Sequence, residues 1–326
     1  MSFRLPKWLK TISLIGLAFL LIYLAFKKVN VFEVWGYAKE ASWIYVIISF
    51  AIGYSAVISR GFRWTIVLES IGKPVSPWSA THATAFGYLM NQVLPRAGEV
   101  ARATALNRSN KIPINILIGT IIIERTIDLI MMALLVGVTF ILSSGDIESF
   151  LSITNSDAEE PTKASKESIK YFILFMVLSF FVVRVFSKKL KSNIWIKKIK
   201  TFMSGILDGF QSVRKLERKM KFWQHTLYIW TCYFFMIYIC FFAFPFTKDL
   251  SIAEGLFIMA AAAIGYLVPV PGGIGAYHYL VTMALVVLGR TYEQGLAFAT
   301  VVHATQTLMM ISTGIVGFLT LTSKKE

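Results

Sequence analysis

Long apolar stretches separated by short polar ones run the length of this chain, and most are apolar on every face. They cover 11–26, 43–59, 112–142, 170–187, 225–246 and 295–322, and each approaches or exceeds the roughly 17–25 residues that carry a helix through a bilayer core. Two further runs, 78–94 and 253–289, are apolar but broken. In the first, Gly87-Tyr88-Leu89 leads to Pro95-Arg96-Ala97-Gly98-Glu99; in the second, Gly265-Tyr266-Leu267 leads to Pro269-Val270-Pro271-Gly272-Gly273. Both share Pro-x-x-Gly. Proline removes a backbone donor and glycine loosens the chain, so non-helical backbone at membrane depth must be buried in protein or line a wet cavity. The pattern predicts an all-α polytopic membrane protein, a single transmembrane domain over 1–326, with about six full spans and two re-entrant broken elements.

Charge orients these elements. Twelve Lys and Arg against two acids fall in 184–221, which makes that stretch cytoplasmic, whereas 143–168 carries six acids and two lysines and suits the outer side. Walking outwards from 184–221 places the chain in the cytoplasmic membrane with both termini inside. The stretch 78–94 then dips in from the cytoplasm, keeping Arg60, Arg63, Arg96, Arg102, Arg108 and Lys111 near that face. The run 253–289 enters as a hairpin from outside, although two full spans there would preserve the same inward last helix. Trp8, Trp43, Trp64, Trp78 and Trp223 flank the proposed segments as an aromatic belt should.

A span, a re-entrant element and a span in 43–142 are thus repeated upside down in 225–322, an inverted repeat. Within the basic segment 188–223, Ile199, Phe202, Met203, Ile206, Leu207, Phe210, Val213 and Leu216 recur at helical spacing. That suits either a helix on the membrane surface or packing against the bundle.

Composition supports these assignments. The chain is 56% hydrophobic and only 16% charged over 326 residues, far more apolar than a soluble domain. Its net charge of +15 is concentrated beside spans, which points to anionic lipid and not to nucleic acid. Arg4, Lys7 and Lys10 before the first apolar run resemble a signal peptide, but no small-residue cleavage site follows, so that run is an uncleaved helix. Cys232 and Cys240 are too far apart on one helix to join.

Charged and breaking residues inside the apolar runs are the candidates for chemistry. Glu124, Arg125 and Asp128 interrupt an apolar helix, where each charge costs several kcal/mol. Glu124 and Asp128 share a face, and Arg125, turned about 100° away, can pair with another segment. The trio is either an ion-pair lock or part of a passage for ion or substrate, coupling or gating it. Near the first break, Asn91, Arg96, Glu99 and Arg102, with Arg60 and Arg63 at the end of the preceding span, suit a phosphate, because guanidinium offers a planar fork of donors. The positive-inside rule also explains such arginines. In the second break, Pro269, Pro271, Gly272, Gly273 and Gly275 precede Tyr277 and His278, and His303 and Gln306 interrupt the last span. These glycines admit substrate or backbone at close range, and equally suit a hairpin turn; Pro95 and Gly98 play the same part in the first break. Asp146-Ile147-Glu148 reads as solvated loop. No catalytic residue, metal site or cofactor motif is recognisable.

Together, Arg60-Gly61-Phe62-Arg63-Trp64, Asn91 through Arg102, Glu124-Arg125-Thr126-Ile127-Asp128 and Pro269 through Ala276 resemble, in order, the flippase-like lysylphosphatidylglycerol synthase transmembrane family over about residues 10–320. In the family's aminoacyl-lipid synthases a similar region moves the modified lipid between leaflets, while a separate C-terminal domain transfers the amino acid. Because this sequence ends at Glu326 without that domain, the resemblance implies the translocating part and no enzyme. The expected function is a lipid flippase that binds a phosphate-bearing headgroup between the two re-entrant elements, with membrane lipids as partners. Some members of the family resemble proteins tied to dolichol-linked sugar assembly, which keeps two alternatives: a transferase or accessory protein on polyprenyl-phosphate sugars, using Glu99 or Asp128 as base, and an envelope scaffold.

Overall fold

Helix boundaries fall where local chemistry stops or starts the backbone ladder. The computed structural model describes residues 16, 20, 22–23, 30–143 and 212–323. The expected spans 11–26 and 170–187, the loop 143–168 and most of the basic segment 188–223 lie outside the described residues.

Helix α1 (Val31–Lys39) starts at Asn30, whose side chain accepts from the Phe32 amide at 3.0 Å, satisfying a donor that the helix itself cannot. Then follow α2 (Trp43–Ser70), α3 (Pro77–Val93), α4 (Gly98–Asn110) and α5 (Ile114–Leu142). Pro77 opens α3, where a missing N–H costs nothing. Lys111 closes α4 in the left-handed conformation at φ 58°, returning its N–H to the Asn107 carbonyl. After residue 212 come α6 (Lys219–Phe241), α7 (Ile252–Leu267), α8 (Ala276–Val287) and α9 (Tyr292–Ser323). Ser251 and Glu254 form a reciprocal capping box on α7. No strand occurs among the described residues.

Helices α2, α5 and α9, with 28, 29 and 32 residues, are long and apolar enough to cross a bilayer. The chain is an all-α membrane protein. At 23 residues α6 has the length, but its lysines, histidine and many aromatic residues make it less apolar than those three. Both broken runs fold as helix pairs: α3 packs on α4, and α7 on α8. With 16 and 12 residues, α7 and α8 span about 24 and 18 Å at ~1.5 Å per residue, each short of a ~30 Å hydrocarbon core. Both are shorter than the three span-length helices α2, α5 and α9. One boundary differs from expectation. Helix α2 does not end near 59 but continues to Ser70, so Arg60 and Arg63 lie inside a packed helix and not at its mouth.

The described residues fall into two compact units. The first comprises residues up to Ile121 and those from Leu216 onward. In it α2 packs on α6 and α3, α3 on α9, and α8 on α9. Small residues make these crossings close, as expected where lipid gives helices no hydrophobic reason to associate. A Cβ on Gly61 of α2 would stand 2.5 Å from the Thr81 Cα of α3, and one on Gly314 of α9 would collide with Leu89. Around Trp64 the core of this unit gathers Leu68, Ala80, Ala83, Leu106 and Leu117, all fully buried. The second unit runs from Ile122 to Lys215, and its described part is chiefly the rest of α5.

Candidate functional site

Arginines 60 and 63 point from α2 into the protein with 4% and 0% exposure, and Arg102 of α4 retains 3%. Burying a guanidinium is costly unless its donors find partners, and hydroxyl and aromatic groups are among the partners here. Arg60 Nη1 donates to the Tyr233 hydroxyl of α6 at 2.7 Å, while its guanidinium carbon lies 5.9 Å from the Tyr88 ring of α3. Arg63 Nη1 donates to Thr226 Oγ1 at 3.1 Å and sits over Phe222. The Arg102 guanidinium lies 3.7 Å from the Trp64 ring centre, a close cation–π contact. Trp64 is held in turn by its indole N–H donating to Thr120 Oγ1 at 2.9 Å. The Tyr88 and Tyr233 hydroxyls approach to 3.5 Å.

The first break closes tightly. The Gly98 amide, first in α4, donates to Asn91 Oδ1 of α3 at 2.7 Å, so a side chain from one arm caps the other. Gly87 and Gly98 meet backbone to backbone; a Cβ on Gly87 would stand 2.8 Å from the Gly98 carbonyl. Between them Arg96 is exposed and takes φ 62°. A side chain in this region costs about 1–2 kcal/mol relative to ordinary backbone. Glu99 is half-buried on the first turn of α4.

The second break is a short turn, Pro271–Gly273, with Gly272, Gly273 and Gly275 at positive φ. The Gly272 carbonyl accepts from His303 Nε2 of α9 at 2.9 Å. Tyr266 donates to Gln306 Oε1 at 2.6 Å. Tyr266, Tyr277, His278 and His303 form one aromatic cluster, with the two imidazole centres 4.7 Å apart. Gly272 also abuts the Gln92 side chain at the end of α3, and Gln92 reaches Met310 Sδ of α9 at 3.0 Å. The two breaks therefore meet. Helix α9 passes both at its middle: His303 and Met310 are its twelfth and nineteenth residues of 32.

In the second unit, Glu124 is fully buried in α5, and Arg125 lies 3.8 Å from Asp128 on the same helix. Spacing alone suggested that Arg125 turns to another segment; an i,i+3 partner on its own face is also within reach.

Of the residues singled out in the sequence, Asn91, Arg96, Gly98, Glu99 and Arg102 assemble around the first break with Arg60 nearby. Gly272, Gly273 and His278 assemble around the second. Sequence reasoning missed Tyr233, Thr226, Trp64 and Thr120 as partners of the arginines and their stacking ring. Ordinary hydroxyl and aromatic residues in apolar helices carry no signal of their own; only the facing of α2 and α6 selects them. Cys232 and Cys240 are both buried free thiols.

A family model described as the lysylphosphatidylglycerol synthase TM region matches residues 11–314. No curated protein and no solved structure matches the chain.

Proposed function

The chain belongs to the lysylphosphatidylglycerol synthase transmembrane-region family, a membrane family related to lipid synthesis, and from that premise we propose that it moves a phosphate-bearing lipid headgroup across the bilayer. The observation that carries this reading is the meeting of the two breaks at Gln92 and Gly272, with the buried Arg60 and Arg102 on helices that flank the first. Paired breaks in corresponding halves are the usual seat of a transporter's binding site, and guanidinium groups bind phosphate oxygens with geometric specificity. The strained backbone at Arg96 adds to this, because a costly conformation retained at a non-glycine residue points towards a use for its side chain.

In this mechanism Arg96 receives the headgroup phosphate at the mouth of the first break. Arg60 and Arg102 hold it, Asn91 and Glu99 fix the hairpin, and the backbone of Gly272 and Gly273 lines the opposite wall. The lipid tail stays in the bilayer. Glu124, Arg125 and Asp128, charges inside the apolar helix α5, take the coupling or gating role. The halves 43–142 and 225–322 act as an inverted repeat with both termini cytoplasmic, rocking around the meeting point. A flipping assay with headgroup-labelled phospholipid in liposomes tests the assignment. The variant with Arg96→Ala and Glu124→Ala together is expected to lose transport, and an unchanged rate would refute these roles.

A further inference from the structure

A hydrogen bond to the Gly272 carbonyl fixes where the His303 proton sits. A carbonyl oxygen only accepts, so the 2.9 Å contact with Gly272 places a hydrogen on His303 Nε2 and leaves Nδ1 as its basic nitrogen. A backbone amide only donates, so the Gly275 N–H that reaches His278 Nδ1 at 3.4 Å occupies that nitrogen and places the His278 hydrogen on Nε2. One basic nitrogen is thus engaged by the turn and the other is not. A proton arriving at His278 Nδ1 would displace the turn's own hydrogen bond. A proton arriving at His303 Nδ1 would strengthen the bond to Gly272, since a charged donor binds more strongly than a neutral one.

The surroundings suit a cation at His303. Tyr266 of α7 stacks near it at 6.1 Å and 26°, Tyr277 of α8 lies at 5.0 Å and His278 at 4.7 Å. Ring faces of this kind attract positive charge, more so away from water. Gln306 lies nearly one turn further along α9 and accepts from Tyr266. On α6 Cys240 is a buried free thiol, and α1 and α2 meet α9 elsewhere, through Val34 and Val57. An imidazolium held out of water needs a counter-charge, and two imidazoles at this separation accept a single proton between them.

We propose that the second break is a one-proton site on His303, filled when an anionic headgroup enters beside it, so that lipid movement is proton-linked. This rests on the transport reading above. The link runs through Gln92, whose side chain abuts Gly272, the residue whose carbonyl His303 binds, and which belongs to the helix that leads into the first break. By reciprocity, an anion that raises proton affinity is itself bound more tightly by the protonated protein.

Two measurements on the whole protein test this. With only four histidines in the sequence, imidazole carbon NMR in nanodiscs resolves each, assigned by single substitution. In phosphatidylglycerol nanodiscs the His303 signal is expected to take up one proton at a higher pH than it does in phosphatidylcholine nanodiscs. A His303 that stays neutral at pH 5 in both overturns the proposal, whatever the lipid does. In proteoliposomes with a one-unit pH gradient, one proton per lipid shifts the leaflet distribution by up to about tenfold towards the alkaline side. His303→Gln, whose amide can still donate to Gly272, is expected to abolish the shift. Flipping that ignores the gradient in the parent protein overturns the coupling. No flipping at all, with His303 still titrating, refutes the transport reading and upholds the proton site.

Discussion

Adding one methyl group at Gly61 is the sharpest mechanical test of the packing around Arg60. A Cβ there would lie 2.5 Å from the Thr81 Cα and 2.6 Å from its backbone nitrogen, where ordinary contact begins at 3.4 Å. The atoms in the way are helix backbone and cannot rotate aside, so α2 and α3 must part by about 0.9 Å. Overpacking of this kind costs about 1–3 kcal/mol, less a few tenths regained because alanine favours the helix. At about 2–4 °C per kcal/mol, Gly61→Ala should lower the unfolding midpoint by several degrees, read by tryptophan fluorescence in detergent. Gly119→Ala is the control: it also adds a methyl to a helical glycine, but meets nothing within 4 Å, and should be neutral or slightly stabilising. The parting also draws Tyr88 of α3 away from the neighbouring Arg60, so headgroup flipping should fall with stability. If Gly61→Ala melts with Gly119→Ala, the α2–α3 crossing is not as close as described and the reasoning fails.

Arg96→Gly relieves the left-handed backbone, so it should leave stability unchanged or raise it by up to ~1 kcal/mol while slowing headgroup flipping at least tenfold; a slower rate with a lower melting point would instead assign Arg96 a structural role. Tyr233→Phe removes the hydroxyl that accepts from Arg60 at 2.7 Å and should cost about 1–3 kcal/mol, checked by the same melt. Arg102→Lys keeps the charge but loses the planar stack on Trp64, so phospholipid transport should fall although net charge is unchanged. Outside the spans, Arg290 hydrogen-bonds both carboxylate oxygens of Asp249 at 2.7 Å and holds its carboxyl below the ordinary range. A depressed folded value contributes stability above the unfolded value of about 3.9, lost as pH falls through the folded one. Asp249 is 71% exposed, so the effect is below ~1 kcal/mol. The small deficit of Asp249→Asn at pH 7 should therefore shrink in paired melts as pH falls below about 3.9.

The chain's apolar runs determined the membrane class by themselves, because burial in lipid is read from length and hydropathy alone. Pro95, Gly98, Pro269 and Gly272 likewise marked both breaks, since proline and glycine act on their own backbone without help from neighbours. The candidate arginines were visible as charges beside a break. Their setting was not: α2 continues past Arg60 and Arg63 with α6 supplying Tyr233 and Thr226 against it, and no local pattern encodes a partner over a hundred residues away. The same holds for the contact of Gly272 with Gln92 and the pairing of His278 with His303. Each joins segments distant in sequence, and their meeting depends on which small residues let α9 slide close against α3 and α8. Composition and periodicity are properties of a segment and survive in the linear chain; register between helices is a property of pairs, and only the packed structure decides it.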